Sequence, residues 1–535
     1  MDERKIGVSN RQQFYQQFII LVSTKPKAEE DALLKAGETV FAYRLATARE
    51  DVEKRRGSGA SSSKAATTFI DDDLIVEIIR VPGEPQPVKY LMYHLDGHTE
   101  QVDSLQVGPT MLFPPQSPLF DKNKILLATG TEEYGKPEYV DEEGVRHEST
   151  LGRQRGLFDS IQDFVRDYVQ IENVNFQSVV VFYAFLTWIY DKFDTVPYLR
   201  AIGDYGVGKS RLLQVLQSIS YRSLMVGGSL TAAPIYRVIE QCGVTLVLDE
   251  SDFSKSDLAT DITQILNSGY QRGFGVLRTE RSHAGPFETD YYETYGPKIL
   301  ASRKRWQDEA LESRCFSYTM VPLRTEQIRQ SIPYILDAEF RERAQSLRNQ
   351  LLLWRFRHWR QASVDSRARF PGLDPRLNQI VLPLLSVADD DAMRAMILEQ
   401  IRSYQGALQE DRRESPEGII ADALIQMLKR SFGKATLGGK IMVKQLVEHL
   451  NDQQTGTEKM SNRAVTGIVR HTFDLKTSRI NGVTWAHATV DDVRRLARRY
   501  GLVDREAVIG DTAIPAPDVP TQPVIVSRTR QAFTE

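Results

Sequence analysis

Apolar and polar positions change their spacing several times along the chain, and each spacing predicts a different element. Residues 73–80 and 89–95 are apolar-rich segments on either side of a Pro/Gly turn, which predicts paired strands. From 157 to 193 the apolar residues recur at helical spacing, and the run 179–190 predicts a buried helix that is too short to cross a membrane. The apolar segment 197–202 then predicts a strand that runs directly into a glycine-rich loop.

Beyond this loop the pattern predicts alternating helices and strands. Residues 211–216 have helical spacing, and 245–248 and 298–301 are apolar enough for buried strands. Between these two strands the sequence predicts a helix at 257–267 and a two-stranded excursion at 273–293. Three more helices are expected at about 334–361, 376–388 and 390–409.

Residues 415–503 show the pattern of a winged helix. Helices are expected at 419–430 and 442–450, and Asn481-Gly482 predicts a tight hairpin turn. Thr489, with Asp492 three residues later, predicts the N-cap of a last helix. The helix 462–472, capped by Ser461, would present polar side chains to a DNA groove. These side chains are Asn462, Arg463, Thr466 and Arg470.

The glycine-rich loop fits the pattern G-x-x-x-x-G-K-[ST] and predicts an ATP site. Such a loop lets successive backbone N–H groups surround the phosphates, because glycines carry no Cβ that would clash. Lys209 would reach the β- and γ-phosphates, and the Ser210 hydroxyl would bind Mg²⁺. The predicted binding residues are Gly203, Asp204, Tyr205, Gly206, Val207, Gly208, Lys209, Ser210 and Arg211.

Two carboxylates follow the apolar strand 245–248 and complete the prediction of ATP hydrolysis. Parallel strands of this kind are buried and end at a common edge of the sheet, so Asp249 is expected beside the Mg²⁺ ion. Glu250 would act as the general base that polarises the attacking water. Strand, loop, helix and carboxylate strand occur in the order that a P-loop ATPase requires.

Composition narrows the class of protein only slightly. A chain of 535 residues is expected to hold about three domains. The net charge of -3 gives no global sign of a nucleic-acid partner. The two cysteines, Cys242 and Cys315, are too few for a disulfide framework, and the N-terminus lacks the apolar core of a signal peptide. A cytoplasmic location is therefore expected.

The order of these motifs resembles the AAA+ ATPases. The strand 298–301 ends at Ser302-Arg303, which predicts a second polar strand end that faces the site. The segment 308–314 is similar to the A-L-x-S-R-F segment of minichromosome-maintenance helicases, a resemblance that implies Arg314 as an arginine finger. A finger that acts on a neighbouring subunit requires a ring. The alternative is that Arg314 only pairs with Glu312 or Asp308 on the surface.

Further segments resemble helicase-like ATPases of phages and mobile elements. Residues 265–273 are similar to their L-N-x-G-[YH]-x-[RK]-G segment, and 296–301 and 382–388 resemble two other blocks. Residues 303–306, Arg-Lys-Arg-Trp, are more basic than this resemblance leads us to expect. It also implies a second cation on the lid helix. The candidates are Arg341, Arg343 and Arg348.

Contacts to DNA are predicted from two basic regions. The excursion after the carboxylate strand carries Arg272, Arg278, Arg281 and His283, which would track a phosphate backbone unless they pair with nearby Glu and Asp side chains. Residues 429–499 hold 14 Lys/Arg against 6 Asp/Glu, which suggests a nucleic-acid partner. The alternative for this region is a winged helix that docks a protein.

The predicted fold class is α/β, with a P-loop AAA+ ATPase core, a helical lid, a C-terminal winged-helix domain and a mixed α+β N-terminal domain. The expected segments are an N-terminal helical segment (1–56), a flexible linker (57–66), a β-rich N-terminal domain (67–150), a helical brace (151–195), the ATPase core (196–325), the helical lid (326–413), the winged helix (414–503) and a disordered tail (504–535).

The sequence therefore predicts an ATP-dependent DNA helicase of the replicative or mobile-element type, acting as a ring, most simply a hexamer. ATP and Mg²⁺ are the expected cofactors, DNA and other replication proteins the expected partners, and no membrane is involved. Two alternatives share the motifs: a replication initiator or helicase loader that binds DNA without unwinding it, and an ATPase that remodels proteins, for which residues 273–276 would form a pore loop.

Overall fold

The computed structural model describes most of the chain between residues 63 and 502. The described residues are 22, 33, 63–84, 86–134, 138–140, 146–148, 150–227, 231–249, 257–281, 287–306, 308–322, 329, 331–365, 367–371, 373–388, 391–432, 439–453 and 459–502. The chain divides into two compact units, Met1–Arg402 and Ser403–Glu535. The predicted disordered tail, and all of the predicted N-terminal helical segment except Val22 and Leu33, lie outside the described residues.

Two small sheets are formed by the strands between residues 63 and 113. The first contains β1 (Ser63–Ala65), β7 (Thr110–Phe113) and β6 (Leu105–Val107), in that order. The second is antiparallel and contains β2 (Thr68–Ile70), β3 (Leu74–Arg80), β4 (Val88–His94) and β5 (Thr99–Val102). The predicted pairing of 73–80 with 89–95 is confirmed by β3 and β4.

The predicted linker 57–66 is wrong at its C-terminal end. Ser63–Ala65 pairs in parallel with Met111–Phe113, so a segment with the composition of a linker forms a strand. The cause is tertiary, because the backbone of β7 offers hydrogen-bonding groups that override a weak local preference. Beyond this sheet lie α1 (Pro118–Asp121), β8 (Ile125–Leu126), β9 (Glu138–Val140) and β10 (Arg146–Glu148).

A six-stranded sheet forms the centre of the first unit. Its order is β17-β11-β16-β13-β12-β8, and all its strands are parallel except the edge strand β8. The strands added here are β11 (Tyr198–Ile202), β12 (Ser223–Val226), β13 (Thr245–Leu248), β16 (Lys298–Ser302) and β17 (Cys315–Thr319). β16 lies between the P-loop strand β11 and the carboxylate strand β13. Because these three adjacent strands are parallel, their C-terminal ends lie side by side at the same end of the sheet.

Helices cover this sheet, and one of them is almost wholly buried. That helix, α3, confirms the buried helix predicted at 179–190, and Asn173 caps its N-terminus. The hairpin strands β14 (Val276–Arg281) and β15 (Phe287–Tyr292) confirm the predicted excursion. The helices are α2 (Thr150–Tyr168), α3 (Val174–Ile189), α4 (Lys209–Ile219), α5 (Ala232–Cys242), α6 (Asp257–Ser268), α7 (Glu309–Glu312), α8 (Ala338–His358), α9 (Pro375–Leu385) and α10 (Asp391–Glu414).

A buried ionic cluster joins the N-terminal antiparallel sheet to the central sheet and its helices. Glu77 on β3 is 1% exposed and accepts hydrogen bonds from Arg222, from the Tyr221 hydroxyl at 2.7 Å and from Arg355 Nε at 2.7 Å. Arg355 also forms an ion pair with Asp191 at 2.7 Å. Since buried charges are tolerated only when they are paired and hydrogen-bonded, this cluster requires the sheet, the start of β12 and α8 to stay together.

The second unit has the helices and the hairpin predicted for its sequence. It contains α11 (Pro416–Phe432), β18 (Gly439–Met442), α12 (Val443–Gln453), α13 (Asn462–Gly467), β19 (Lys476–Ile480), β20 (Val483–Ala488) and α14 (Val490–Arg499). A π-helical turn, Ile468–Thr472, continues α13. The sheet order is β18-β20-β19, and the hairpin turns at Asn481 and Gly482, whose φ angles are 50° and 81°. The predicted capping box of Thr489 and Asp492 is present.

Among the described helices of the chain, none combines the length and the apolar character that a membrane span requires.

Candidate nucleotide-binding site

The glycine-rich loop has the backbone conformation that its glycines allow. Gly206 and Gly208 have φ angles of 79° and 93°, in the left-handed region that favours glycine. At Gly203 a Cβ atom would lie 2.7 Å from the carbonyl oxygen of Met320 and 2.9 Å from a methyl group of Val207. Helix α4 begins at Lys209, directly after Gly208. The N-terminus of α4 therefore faces the loop, an arrangement that favours an anion.

A cavity of about 300 Å³ lies at this edge of the sheet. Lys209 and Ser210 line it, and the Lys209 ammonium group donates hydrogen bonds to the carbonyl oxygens of Gly203 at 2.7 Å and Asp204 at 2.6 Å. The complete lining is Tyr205, Gly206, Gly208, Lys209, Ser210, Arg211, Asp249, Ala301, Ser302 and Arg303. Most of the predicted ATP site is thus brought together in one cavity.

Asp249 enters the cavity from the end of β13, a strand whose four residues are all buried. Its backbone N–H donates to the carbonyl oxygen of Val226 at 3.1 Å, which continues the pairing of β12 with β13. The Asp249 carboxylate and the Ser210 hydroxyl are hard oxygen donors of the kind that bind Mg²⁺ together with substrate phosphates, so the residues fit this ion. Glu250, the predicted general base, lies outside the described residues.

The polar strand end predicted at Ser302 is in the cavity, but its hydroxyl group is engaged elsewhere. Ser302 pairs in register with Ile202, is fully buried, and donates to the carbonyl oxygen of Lys304 at 2.9 Å. The next residue, Arg303, lines the same cavity, and its guanidinium carbon lies 4.2 Å from the ring centre of Tyr205. Arg303 therefore lies, with Ser302, at the polar strand end that the sequence predicted to face the site.

Arg314 lies near the start of β11, whereas the cavity lies beyond the end of this strand. The backbone N–H of Tyr198, the first residue of β11, donates to the carbonyl oxygen of Arg314 at 2.9 Å. The P-loop follows the last residue of β11, and at about 3.3 Å per residue the two ends of this strand are about 13 Å apart. Arg314 is therefore remote from the P-loop of its own chain.

The Arg314 guanidinium group is held by residues of the segment 265–273. Its Nη1 donates to Asn267 Oδ1 at 2.6 Å, and its Cζ lies 4.4 Å from the ring centre of Tyr270. Glu312, one of the surface partners considered for Arg314, instead pairs with the buried Arg200 at 2.6 Å. The structure thus assigns contacts to a segment that the sequence singled out only by resemblance.

The arginines near the expected lid differ in their contacts. Arg211 donates to the carbonyl oxygens of Pro333 at 3.1 Å and Tyr334 at 2.5 Å. Arg343 pairs with Asp167 at 2.8 Å, and Arg348 is buried with bonds to main-chain carbonyls. Arg341 is exposed and donates to the carbonyl oxygen of Leu336 at 3.3 Å. None of the three candidate lid arginines, 341, 343 and 348, lines the cavity.

Comparisons with known proteins identify no family for this chain. No protein-family model and no curated protein matches the sequence. Among solved structures, it is similar to SCCmec type IV Cch, described as an active helicase (12% identity, 81% of this chain and 99% of the other, TM-score 0.33). It is also similar to the C-terminal region of NrS-1 (13% identity, 78% and 96%, TM-score 0.29) and to RuvB of Thermotoga maritima, a Holliday junction branch migration motor (12% identity, 58% and 91%, TM-score 0.18). TM-scores this low do not establish a common fold.

Two of the four cations predicted to contact DNA near the β14–β15 hairpin, Arg272 and Arg278, are bound to the body of the protein. Arg272 donates to the carbonyl oxygen of Asp191 at 2.6 Å and lies over the ring of Tyr295, and Arg278 pairs with Asp261 at 3.2 Å. Arg281 is the last residue of β14, and His283 lies outside the described residues. Phe274, in the alternative pore loop, is 57% exposed, whereas Val276 is buried.

Helix α13 and the π-helical turn present a polar groove of about 410 Å³. Asn462, Arg463 and Arg470 are exposed on it, and the Arg470 side chain is oriented by hydrogen bonds to Thr477 Oγ1 at 2.9 and 3.1 Å. Thr466 also lines the groove, so the four side chains predicted to meet DNA share one surface. The basic side chains of α14 are partly neutralised, since Arg494 pairs with Asp491 and Arg495 with Asp492.

Proposed function

We propose that this chain is a ring-forming AAA+ ATPase that translocates on DNA and unwinds it. The observation that carries the proposal is the cavity at the end of β11, because it combines a left-handed glycine loop, a lysine, a hydroxyl group and a carboxylate at one sheet edge. These are the groups that a site for triphosphate hydrolysis needs.

In the proposed reaction a water oxygen attacks the γ-phosphorus of ATP, and the bond to the β–γ bridging oxygen breaks to release ADP and phosphate. Backbone N–H groups of the loop and Lys209 would hold the phosphates, and Glu250 would take the proton of the attacking water. Ser210 and Asp249 would hold Mg²⁺, which supplies positive charge to the phosphate oxygens when bound.

The position of Arg314 supports a ring. A developing phosphate charge is stabilised by a nearby cation, and the arginine that the motif singles out is at the far end of β11 from its own P-loop. The hydrogen bond to Asn267 and the contact with Tyr270 hold its guanidinium group in place. We therefore assign Arg314 to the site of the neighbouring subunit, and a hexamer is the simplest ring.

DNA is the proposed substrate because the second unit carries the basic surface. Arg463 lies on α13 and Arg470 on the π-helical turn that continues it, the segment that a winged helix would use to contact a groove. Residues 429–499 carry the excess of positive charge. Other replication proteins remain expected partners, and a cytoplasmic location remains an expectation.

A DNA-binding switch that does not unwind is the second candidate. It is favoured by the contacts of Arg272 and Arg278, because both cations are engaged by the protein and neither is freely offered to a DNA strand in a channel. In this alternative ATP would control DNA binding by the second unit without translocation.

Strand displacement on a forked DNA tests the proposal. Wild type and Lys209→Ala would be compared with ATP, with hydrolysis followed in the same tubes and thermal melting used to confirm that the variant is folded. We expect unwinding that disappears in the variant. DNA-stimulated hydrolysis without displacement would favour the switch, and hydrolysis by folded Lys209→Ala near the wild-type rate would refute the assignment of the site.

A further inference from the structure

We infer that the outer face of the three-stranded sheet in the second unit binds single-stranded nucleic acid, with an unpaired base stacked on the ring of Trp485. The inference rests on the proposed action on DNA and deepens it, because it names a second binding surface and the form of nucleic acid that this surface takes. The outer face consists of six side chains from the three strands. They are Lys440 and Met442 of β18, Lys476 and Ser478 of β19, and Trp485 and His487 of β20.

The alternation of side chains along β20 places Trp485 and His487 on this face. Ala486 and Ala488 belong to the hydrophobic core of the second unit, and successive side chains of a strand point to opposite faces of a sheet. Ser478 Oγ lies 2.8 Å from His487 Nε2, so Ser478 of β19 is on the same face as His487. Trp485 is only half-buried and, among the described residues, is not part of that core.

The strand pairing places two lysines close to the Trp485 ring. Lys440 of β18 and Lys476 of β19 lie on either side of His487 in one row across the sheet. Trp485 is the central residue of the next row, two residues along β20. Two residues of a strand span about 7 Å, a distance that a lysine side chain can cover. A base stacked on Trp485 therefore has its backbone within reach of both ammonium groups.

The charge of the outer face favours a polyanion. The strands β18, β19 and β20 contain no aspartate or glutamate. Lys440 and Lys476 are exposed, and within the described part of the chain neither forms an ion pair. An aromatic ring beside cations is the combination that binds single strands, since bases stack on the ring and phosphates are attracted by the charge.

The geometry of the unit favours a single strand over a duplex on this face. In a duplex the faces of a base are covered by neighbouring base pairs, whereas an unpaired base offers its face to an aromatic ring. The groove of α13 lies on the other side of β19, because Thr477, the neighbour of Ser478, orients Arg470 of that groove. The second unit would thus offer one surface to a duplex and another to a single strand, the two forms of DNA that meet at a fork.

Anisotropy titrations of the full-length protein test the inference, with a labelled single strand and a blunt duplex of the same length as ligands. Trp485→Ala should raise the Kd of the single strand about tenfold, or about 1.4 kcal/mol, and change the Kd of the duplex less than about twofold. Trp485→Phe should stay within about threefold of wild type, because it keeps an aromatic ring. Arg463→Ala, in the groove of α13, should show the opposite preference. Thermal melting would confirm that each variant is folded.

The two lysines are tested through the salt dependence of single-strand binding. Lys440→Ala and Lys476→Ala should each reduce the slope of log K against log salt concentration by about 0.7, the value of one phosphate contact on a single strand. Lys444→Ala is the matched control, because it removes an exposed lysine of α12 that pairs with Glu448 and is not on the outer face. Its slope should equal that of wild type.

Photocrosslinking locates the bound strand directly. A single strand that contains 5-bromodeoxyuridine should crosslink to the peptide that carries Trp485 in the wild-type protein. A single-strand Kd unchanged in Trp485→Ala, equal losses of single-strand and duplex affinity in this variant, or crosslinks only to other peptides would each overturn the inference. The proposed function survives these outcomes if unwinding still depends on Lys209, whereas wild-type protein that binds neither form of DNA would refute it.

Discussion

Replacing Arg314 by alanine tests whether the chain works as a ring with shared sites. We expect a large effect because the proposed ring assigns Arg314 to the site of the neighbouring subunit, and Asn267 and Tyr270 already fix the orientation of its guanidinium group. Removing an arginine finger typically costs about 10³–10⁵ in kcat. The kcat of Arg314→Ala should therefore fall to about 0.1% of wild type or less, with the KM for ATP changed little.

Rings that mix two variants give a second expected value, the fraction of ATPase activity that is recovered. Arg314→Ala subunits keep an intact P-loop, and Lys209→Ala subunits keep an intact arginine. An interface is complete when an Arg314→Ala subunit supplies the P-loop and a Lys209→Ala subunit supplies the arginine. In an equal mixture this arrangement is expected for about a quarter of random interfaces. If the interfaces act independently, ATPase activity should recover to about a quarter of the wild-type rate.

The assay is steady-state phosphate release after the two variants have been mixed under conditions that allow subunits to exchange. The matched control mixes Arg314→Ala with the double variant Lys209→Ala/Arg314→Ala, which supplies no arginine to any interface and should give no recovery. An arginine that acts within its own chain would give no recovery in either mixture. That result, with mixed rings demonstrated by pull-down, would refute the reasoning.

Three further predictions concern other parts of the chain. Glu77→Gln removes the carboxylate that pairs with the buried Arg222 and leaves Arg355 with Asp191 alone, so denaturant unfolding should show a loss of about 3–5 kcal/mol. A loss below about 1 kcal/mol would contradict the role of the cluster. Burial lowers the pKa of Lys298 from 10.5 to about 7, so the charged form is disfavoured in the folded state. The free energy of unfolding should therefore rise between about pH 7 and 10. Lys298→Met should flatten this rise, and an unchanged slope in the variant would contradict the lowered pKa of Lys298. Arg463→Ala should reduce the slope of log K for DNA binding against log salt concentration by the value of about one phosphate contact, as measured by anisotropy titrations. A slope identical to that of wild type would show that Arg463 does not contact DNA.

Local signals in the sequence were sufficient for most elements near the site. The glycine pattern predicted a loop whose backbone N–H groups surround phosphates, and Gly206 and Gly208 adopt positive φ angles there. The period of apolar residues predicted α3, the hairpin and the helices of the second unit. Such features depend on contacts between residues that are close in the chain, so they are visible before any packing is known.

Other features depend on which strands become neighbours. Arginine and lysine are usually found at the protein surface, yet Arg200 and Lys298 are both fully buried in the central sheet. Arg200 pairs with Glu312, and Lys298 donates to three main-chain carbonyls. Ser63–Ala65 forms a strand only because β7 lies beside it. These outcomes depend on partners that are far away in the sequence, and no local pattern predicts them.

The sequence by itself therefore predicted the P-loop, the succession of strands and helices along the chain and the residue types that a phosphate and Mg²⁺ require. Only the tertiary structure decided how these residues are distributed. It placed β16 between β11 and β13, brought Arg303 into the cavity beside Tyr205, and put Arg314 at the other end of β11 with Asn267. The physical reason is that strand order and register arise from burying apolar side chains over long sequence separations, whereas a motif records only the chemistry of adjacent residues.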